Sequence, residues 1–266
     1  MVVFPGCKIN LGLTITSKRS DGFHNLESVF YPIALTDILE VVPSDHFAIY
    51  TSGIPIAGDH SDNLVVKAYY QLQDIYALPP VRVHLHKLVP MGAGLGGGSA
   101  DGAAMLVLLN QLFDLKMSIH ECEERADQLG SDCAFFIRNE PAYIQGKGEQ
   151  VTPIQFNLSD YFIQLINPGI HVNTAAAFSG IQPGKRSFDL ETITSKSPNQ
   201  WGDRVKNDFE DTILPIHPVI AEIKKKLASK GALYTSMTGT GSSVYGIFKD
   251  KPSPLFPDYF EYINRL

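Results

Sequence analysis

Apolar residues recur at every second position near the amino terminus. Ile9, Leu11, Leu13 and Ile15 fall on one side, with Lys8, Asn10 and Thr14 on the other. That period predicts a β-strand with one apolar and one polar face. Ser17-Lys18-Arg19-Ser20-Asp21-Gly22 is turn chemistry, and strand-like runs follow over residues 26–33 and 38–42. Residues 63–76 have helical character behind an Asp62-Asn63 start signal. The alternation returns in Val81-Arg82-Val83-His84-Leu85-His86, a predicted strand. Residues 99–115, rich in Ala, Leu and Met, predict a long helix. Between strand and helix lie Pro90-Met91-Gly92-Ala93-Gly94-Leu95-Gly96-Gly97-Gly98, with a glycine density that a strand or helix interior would not tolerate.

Beyond the long helix, Ser118 and Glu121 form a capping box for a helix over residues 118–129, and Gly130 stands where a C′ glycine belongs. Residues 142–154 predict a hairpin turning at Gly146-Lys147-Gly148. From about residue 155 the pattern restarts, with a strand over 161–166, a turn at 167–169 and a short helix over 174–178. The polar stretch 182–203 reads as a surface excursion. Residues 215–230 predict a helix ended by Gly231. Residues 232–237 and 243–248 predict strands flanking a second glycine loop, Thr238-Gly239-Thr240-Gly241-Ser242. Residues 252–266 show no clear final strand. Helices mixed with strands, several of them antiparallel, imply an α+β fold in two lobes, residues 1–154 and 155–266.

Composition narrows the class of partner. The 266 residues carry a net charge of −6, which disfavours a nucleic-acid or anionic-membrane binder. The densest basic run, Lys224-Lys225-Lys226, reads as a solvated helix face. Cys7, Cys122 and Cys133 form no CxxC pair, so neither a zinc knuckle nor a disulfide scaffold is indicated. The amino terminus turns polar too soon for a signal peptide, and no apolar run approaches the ~20 residues of a membrane helix. The expectation is a cytoplasmic protein acting on a small molecule.

Strand, glycine loop and helix start together make an anion site, because the loop exposes backbone N–H groups and the helix dipole favours negative charge at that end. No Gly-Lys-Ser or Gly-Lys-Thr follows the glycines, so the loop is not a Walker A loop. Gly92-x-Gly94-x-x-Gly97 fits the dinucleotide fingerprint, but the acidic residue expected on a second strand would fall inside the helix. No H-R-D or D-F-G of a protein kinase follows. A plain glycine linker would not sit so tightly between a strand and an Ala- and Leu-rich helix.

The segment from Pro90 to Ala100 resembles the P-x-x-x-G-L-G-S-S-A type loop of the GHMP kinase superfamily, whose members phosphorylate small metabolites with ATP. Its triple glycine resembles one branch, whose acceptor is a methylerythritol carrying a cytidine diphosphate in the non-mevalonate isoprenoid route. Lys8-Ile9-Asn10-Leu11, Asp21-Gly22-Phe23-His24, Asp62-Asn63-Leu64, Leu129-Gly130-Ser131-Asp132, Asn207-Asp208-Phe209-Glu210 and Thr238-Gly239-Thr240-Gly241 resemble further motifs of that branch, in the right order.

The resemblance implies a ribosomal protein S5 domain 2-like amino-terminal lobe and a ferredoxin-like carboxy-terminal lobe. It implies ATP held by Lys87, Pro90, Met91, Gly92, Ala93, Gly94, Leu95, Gly96, Gly97, Gly98, Ser99 and Ala100, with Asn63, Thr240 and Gly241 also near the nucleotide. Asp132 is implied as general base with Lys8 assisting; from position alone Asp132 reads equally well as a helix N-cap. Asn10, Phe23, His24 and Phe178 are implied to bind the acceptor, the aromatic rings stacking on cytosine, with Phe23 standing where Tyr is usual. Magnesium is expected with ATP, and the sequence offers no dedicated carboxylate cage and so no named metal ligand. A homoserine or mevalonate type of the same superfamily, a non-catalytic nucleotide-binding homologue and a Rossmann-type oxidoreductase are the competing readings.

Overall fold

The computed structural model describes residues 1–181, 183–184 and 188–266. In chain order the strands are β1 (Val2–Val3), β2 (Gly6–Lys18), β3 (His24–Thr36), β4 (Ile38–Pro43), β5 (Ala48–Gly53), β6 (Val81–Lys87), β7 (Ala142–Gln145), β8 (Gln150–Pro153), β9 (Phe162–Asn167), β10 (Tyr234–Met237), β11 (Val244–Phe248) and β12 (Phe260–Arg265). The helices are α1 (Leu64–Tyr76), α2 (Gly97–Leu112), α3 (Ile119–Leu129), α4 (Cys133–Arg138), α5 (Thr174–Ser179), α6 (Phe209–Ile216) and α7 (Pro218–Ser229). Contacts group the chain into two units, each built from several segments. The first comprises Met1–Cys7, Leu35–Met91 and Gly96–Glu140; the second comprises Lys8–Ala34, Gly92–Leu95 and Pro141–Leu266.

In the first unit the sheet runs β1-β4-β6-β5, with β4 antiparallel and β5 parallel to β6. Alternation in β6 does what its period predicts: Val81, Val83 and Leu85 are buried while Arg82 and His84 face water. The buried face meets Val65, Tyr69 and Leu72 of α1 and Met105, Leu106 and Leu109 of α2 in one core. Helix starts follow local chemistry. Asn63 Oδ1 accepts from Val65 N–H at 2.9 Å to open α1. Ser118 and Glu121 close the expected capping box on α3.

In the second unit one sheet runs β2-β3-β7-β8 and another β10-β11-β9-β12. The latter order, with α5, α6 and α7 between β9 and β10, is the ferredoxin-like order; the crossover from β11 to β12 holds no helix. Ile213, Ile220, Ile223 and Leu227 of α6 and α7 pack with Ile166, Met237, Val244 and Phe248.

Several local expectations are corrected. Helix α2 begins two residues before the expected Ser99, because Gly96 in the left-handed region turns the chain into it. It ends at Leu112, and left-handed Asp114 follows. Gly130 is not a left-handed C′ glycine; its backbone is extended, and its carbonyl accepts from Cys133 N–H at 3.0 Å to start the next turn. Of the stretch 182–203, residues 182 and 185–187 lie outside the described residues. The rest forms short 3-10 turns that bury Leu190, Ile193 and Trp201, so it is anchored rather than purely superficial. The expected single helix over 215–230 is α7 alone, preceded by α6, with the break at His217. A final strand does exist: β12 pairs antiparallel along β9. Its alternation was masked because Glu261 is used locally, accepting from Leu255 N–H at 3.0 Å and Gln164 Nε2 at 2.6 Å.

No helix among the described residues is long and apolar enough to cross a membrane.

Candidate active site

Within the second unit, residues 92–95 of the glycine loop pack against the second glycine loop. A Cβ on Gly94, whose φ is +76°, would lie 1.9 Å from Thr238 O, so no side chain fits there. Ser243 N–H donates to Ala93 O at 3.3 Å and Lys8 N–H to Leu95 O at 2.9 Å. Asn10 is the hub: its Oδ1 accepts from Lys8 Nζ at 2.7 Å and from Gly239 N–H at 2.9 Å. Its Nδ2 donates to Ser28 Oγ at 2.9 Å. Thr238 Oγ1 stands 3.1 Å from Asn10 Oδ1 and 3.0 Å from Gly94 O, and its one proton can be donated to either. Lys8 Nζ also donates to Gly94 O at 3.2 Å and stands 4.4 Å from the Phe30 ring centroid. On the polar face of β2, Lys8 and Asn10 are thus buried, at 3% and 1% exposed.

The Asn207-Asp208-Phe209-Glu210 segment braces the same place. Asn207 Nδ2 donates to Met237 O at 2.9 Å and Gly239 O at 2.8 Å. Glu210 Oε1 accepts from Met237 N–H at 2.7 Å. Asp208 Oδ2 accepts from Ile15 N–H at 2.7 Å, and burial nevertheless raises its carboxyl above the usual value. Thr240 is partly exposed at the tip of the second loop, and Gly241 N–H donates to Thr238 O at 3.0 Å.

A second feature of this unit is a cleft of about 650 Å³ lined by Phe23, His24, Phe178, Lys18 and Lys147 among others. The His24 and Phe178 rings stack at 5.0 Å, and Phe178 in turn meets Phe209 edge-on at 4.8 Å. Phe23 is exposed, with Lys147 Nζ 5.5 Å from its ring centroid. Three of the four residues implied for the acceptor come together here; Asn10 lies instead in the hydrogen-bonded hub.

In the first unit, the start of α2 carries no side-chain cap. Its leading N–H groups have no intrahelical partners, so this end favours an anion. Gly97 is required there by close approach, since a Cβ would stand 2.9 Å from Val89 Cγ1. Pro90, Gly98 and Ser99 are partly exposed, while Met91 and Gly92 are exposed. Lys87, implied to lie by the nucleotide, is fully buried between Asp37 and Asp101. Burial alone would lower its ammonium, but Asp101 and Asp37 outweigh that and hold it above its usual value. Asn63 is engaged as the α1 cap. Asp132 takes the N-cap position of α4, with no side-chain cap hydrogen bond to the helix. It is partly exposed, with Ser131 Oγ 3.5 Å from its Oδ1. Among the described residues no three His, Cys, Asp or Glu side chains gather as a metal site. Asp37 and Asp101 escaped sequence reasoning; a buried Lys is the signal that would have demanded them.

Comparison with known proteins bears on all of this. Residues 63–140 match the GHMP kinases N terminal domain, and residues 190–254 match GHMP kinases C terminal. The 4-diphosphocytidyl-2-C-methyl-D-erythritol kinase of Bacteroides thetaiotaomicron is 49% identical, covering 94% of this chain and 92% of that protein. The chain belongs to the GHMP kinase family. Within the family, the kinase of the same name from Parabacteroides distasonis is 44% identical and aligns over the full length of both chains. A crystal structure of 4-(cytidine 5'-diphospho)-2C-methyl-D-erythritol kinase superposes with a TM-score of 0.79 at 27% identity, covering 93% of this chain and 90% of that one. The mevalonate kinase of Methanococcus jannaschii superposes at 0.69 with 11% identity over 93% and 90%, a likeness of fold.

Proposed function

We propose that this GHMP kinase transfers the γ-phosphoryl group of ATP to the 2-hydroxyl of 4-diphosphocytidyl-2-C-methyl-D-erythritol, a step of the non-mevalonate isoprenoid route. The observation that carries the acceptor is the cleft in which Phe23, His24 and Phe178 meet Lys18 and Lys147. Aromatic faces suit a stacked base, and two ammonium groups suit the diphosphate attached to it. Relatives 44–49% identical along nearly their whole length carry that acceptor in their names.

A magnesium ion bound with ATP would supply charge neutralisation for its phosphate oxygens, and no residue of this chain is assigned as its ligand. Backbone N–H groups of residues 92–100 hold the triphosphate, and Thr240 and Gly241 are further nucleotide-binding residues. Asp132 accepts the proton of the 2-hydroxyl as its oxygen forms a bond to the γ-phosphorus and the β–γ bridging oxygen leaves with ADP. Lys8 steadies the negative charge of the transferring group. Asn10 keeps Lys8 and the second loop in register.

The test is phosphoryl transfer measured on the cytidine acceptor, homoserine and mevalonate in parallel. Turnover of the cytidine acceptor alone is expected, and turnover of homoserine or mevalonate alone overturns the assignment. Asp132→Asn should lower kcat by roughly 10²–10⁴-fold, the range for a general base, with binding of an ATP analogue retained. Equal loss of both would remove Asp132 from the chemistry.

A further inference from the structure

The glycine loop is entered through residues 87–89 and left through residues 97–101, and three buried charges meet where these two stems adjoin. Lys87 Nζ, at the end of β6, is bonded to Asp37 Oδ2 and donates to Asp101 Oδ2 at 2.7 Å. Asp37, between β3 and β4, turns its other oxygen to the chain leaving β6: Oδ1 accepts from Leu88 N–H at 2.6 Å and Val89 N–H at 2.9 Å. Asp101 belongs to the first turns of α2. The stems also touch directly, since Gly97 leaves no room for a Cβ beside Val89.

These groups are fully shielded from water. Lys87 and Asp37 are each 0% exposed and Asp101 is 2% exposed. Burying three charges costs several kcal/mol per ion and is recovered only through good geometry. A plain apolar packing would have served stability as well. What ions supply here is direction: an ammonium with a carboxylate on either side fixes the distance and angle between two backbone segments. Among the described residues Asp101 Oδ1 finds no hydrogen-bond partner, so the arm to Lys87 is its principal anchor.

We propose that Lys87, Asp37 and Asp101 form a buried charge clamp that holds the two stems of the glycine loop at a set spacing, making all three positioning residues for nucleotide phosphate. The clamp rests on the reading of this loop as the ATP site, but none of the three need touch ATP. Lys87 bridges the stems, Asp37 anchors the first and Asp101 carries the second.

Asp101→Ala cuts one arm while leaving Lys87 balanced by Asp37, and Ala suits the first turns of a helix. The KM for ATP should rise about ten-fold or more, the loss of one hydrogen bond to a charged group, while kcat and the acceptor KM stay within about two-fold. Asp101→Asn, which keeps an oxygen for Lys87, should restore most of the difference. An unchanged KM for ATP in a folded Asp101→Ala protein overturns the clamp, as does failure of Asn to rescue. If Asp101→Ala does not fold, Asp37→Asn serves: its one remaining oxygen stays with the Leu88 and Val89 amides while an NH2 group replaces the oxygen that accepts from Lys87, and the same selective rise is expected. Amide hydrogen exchange without nucleotide separates this proposal from the functional reading. Faster exchange at residues 88–89 and 97–101 in Asp101→Ala supports the clamp even if the wild-type protein binds no ATP, and unchanged exchange overturns it.

Discussion

Two regions adjoin the glycine loop in the chain and are built on opposite principles. Residues 92–95 are held through Asn10, whose side chain bonds an ammonium, a backbone amide and two hydroxyls. The loop stems are held by Lys87, Asp37 and Asp101, three charges removed from water. The first region satisfies its polar atoms mainly with neutral hydrogen-bonding partners at ordinary distances, around the buried ammonium of Lys8. The second concentrates charge, and its protonation is set by burial. The Asp101 carboxyl is pushed up to about 7 by desolvation, against the pull of Lys87 and with Asp37 adding to the push. One loop is therefore gripped by a site built mainly of neutral hydrogen bonds and by another whose protonation responds to pH.

The sharpest way to break this contrast is Lys87→Met, which leaves two buried carboxylates facing each other. Breaking a buried ion pair from one side costs roughly 3–5 kcal/mol. For a chain of this size that corresponds to a fall in Tm on the order of 10 °C, read by calorimetry. A fall below about 2 °C would mean that water reaches the cluster. Asn10→Ala should cost less, about 1–3 kcal/mol, because the Gly239 amide and the Lys8 ammonium lose an acceptor but no charge pair is broken. Urea unfolding measures it, and a loss exceeding that of Lys87→Met would reverse the order of the two regions.

The pH response distinguishes them next. The folded state holds a proton on Asp101 more tightly than the unfolded chain, where the ordinary value is 3.8. Its contribution to stability is complete below that value and is lost as pH rises through about 7. Unfolding free energies of the wild type should therefore decline relative to Asp101→Asn between about pH 4 and about pH 8, since Asn carries no such proton. Parallel curves for the two proteins would show that Asp101 is not the titrating member. Asn63→Ala has the smallest expected effect, about 1 kcal/mol from the lost α1 cap. An accompanying rise in the KM for ATP would place Asn63 at the nucleotide as well as at the helix start.

Several features that depend on near neighbours were legible in the chain. The cap at Asn63, the Ser118–Glu121 box and the alternation of β6 each involve residues a few positions apart, where spacing dictates geometry. Ordered motifs likewise located both glycine loops and the residues of the aromatic cleft. The alternation of β2 separated an apolar from a polar face, but it does not say whether the polar one is buried. Lys8 and Asn10 are buried through partners that lie up to 235 positions away in the chain. Trp201 and β12 were missed for a related reason. Polar neighbours surround a few anchoring residues, and their burial depends on β9 and on Tyr234, which meets the Trp201 ring at 5.0 Å.

By itself, then, the sequence determined the helix caps at Asn63 and Ser118, the strand periods and the family, because these rest on local backbone chemistry and on order along the chain. Only the tertiary structure decided that Asn10 is a hub, that the Asn207–Glu210 motif braces the second loop, and that Lys87 is locked between Asp37 and Asp101. Each of these depends on desolvation, which strengthens a hydrogen bond or shifts a proton according to what else has been buried beside it. No spacing along the chain encodes that; it exists once distant segments have closed around the same small volume.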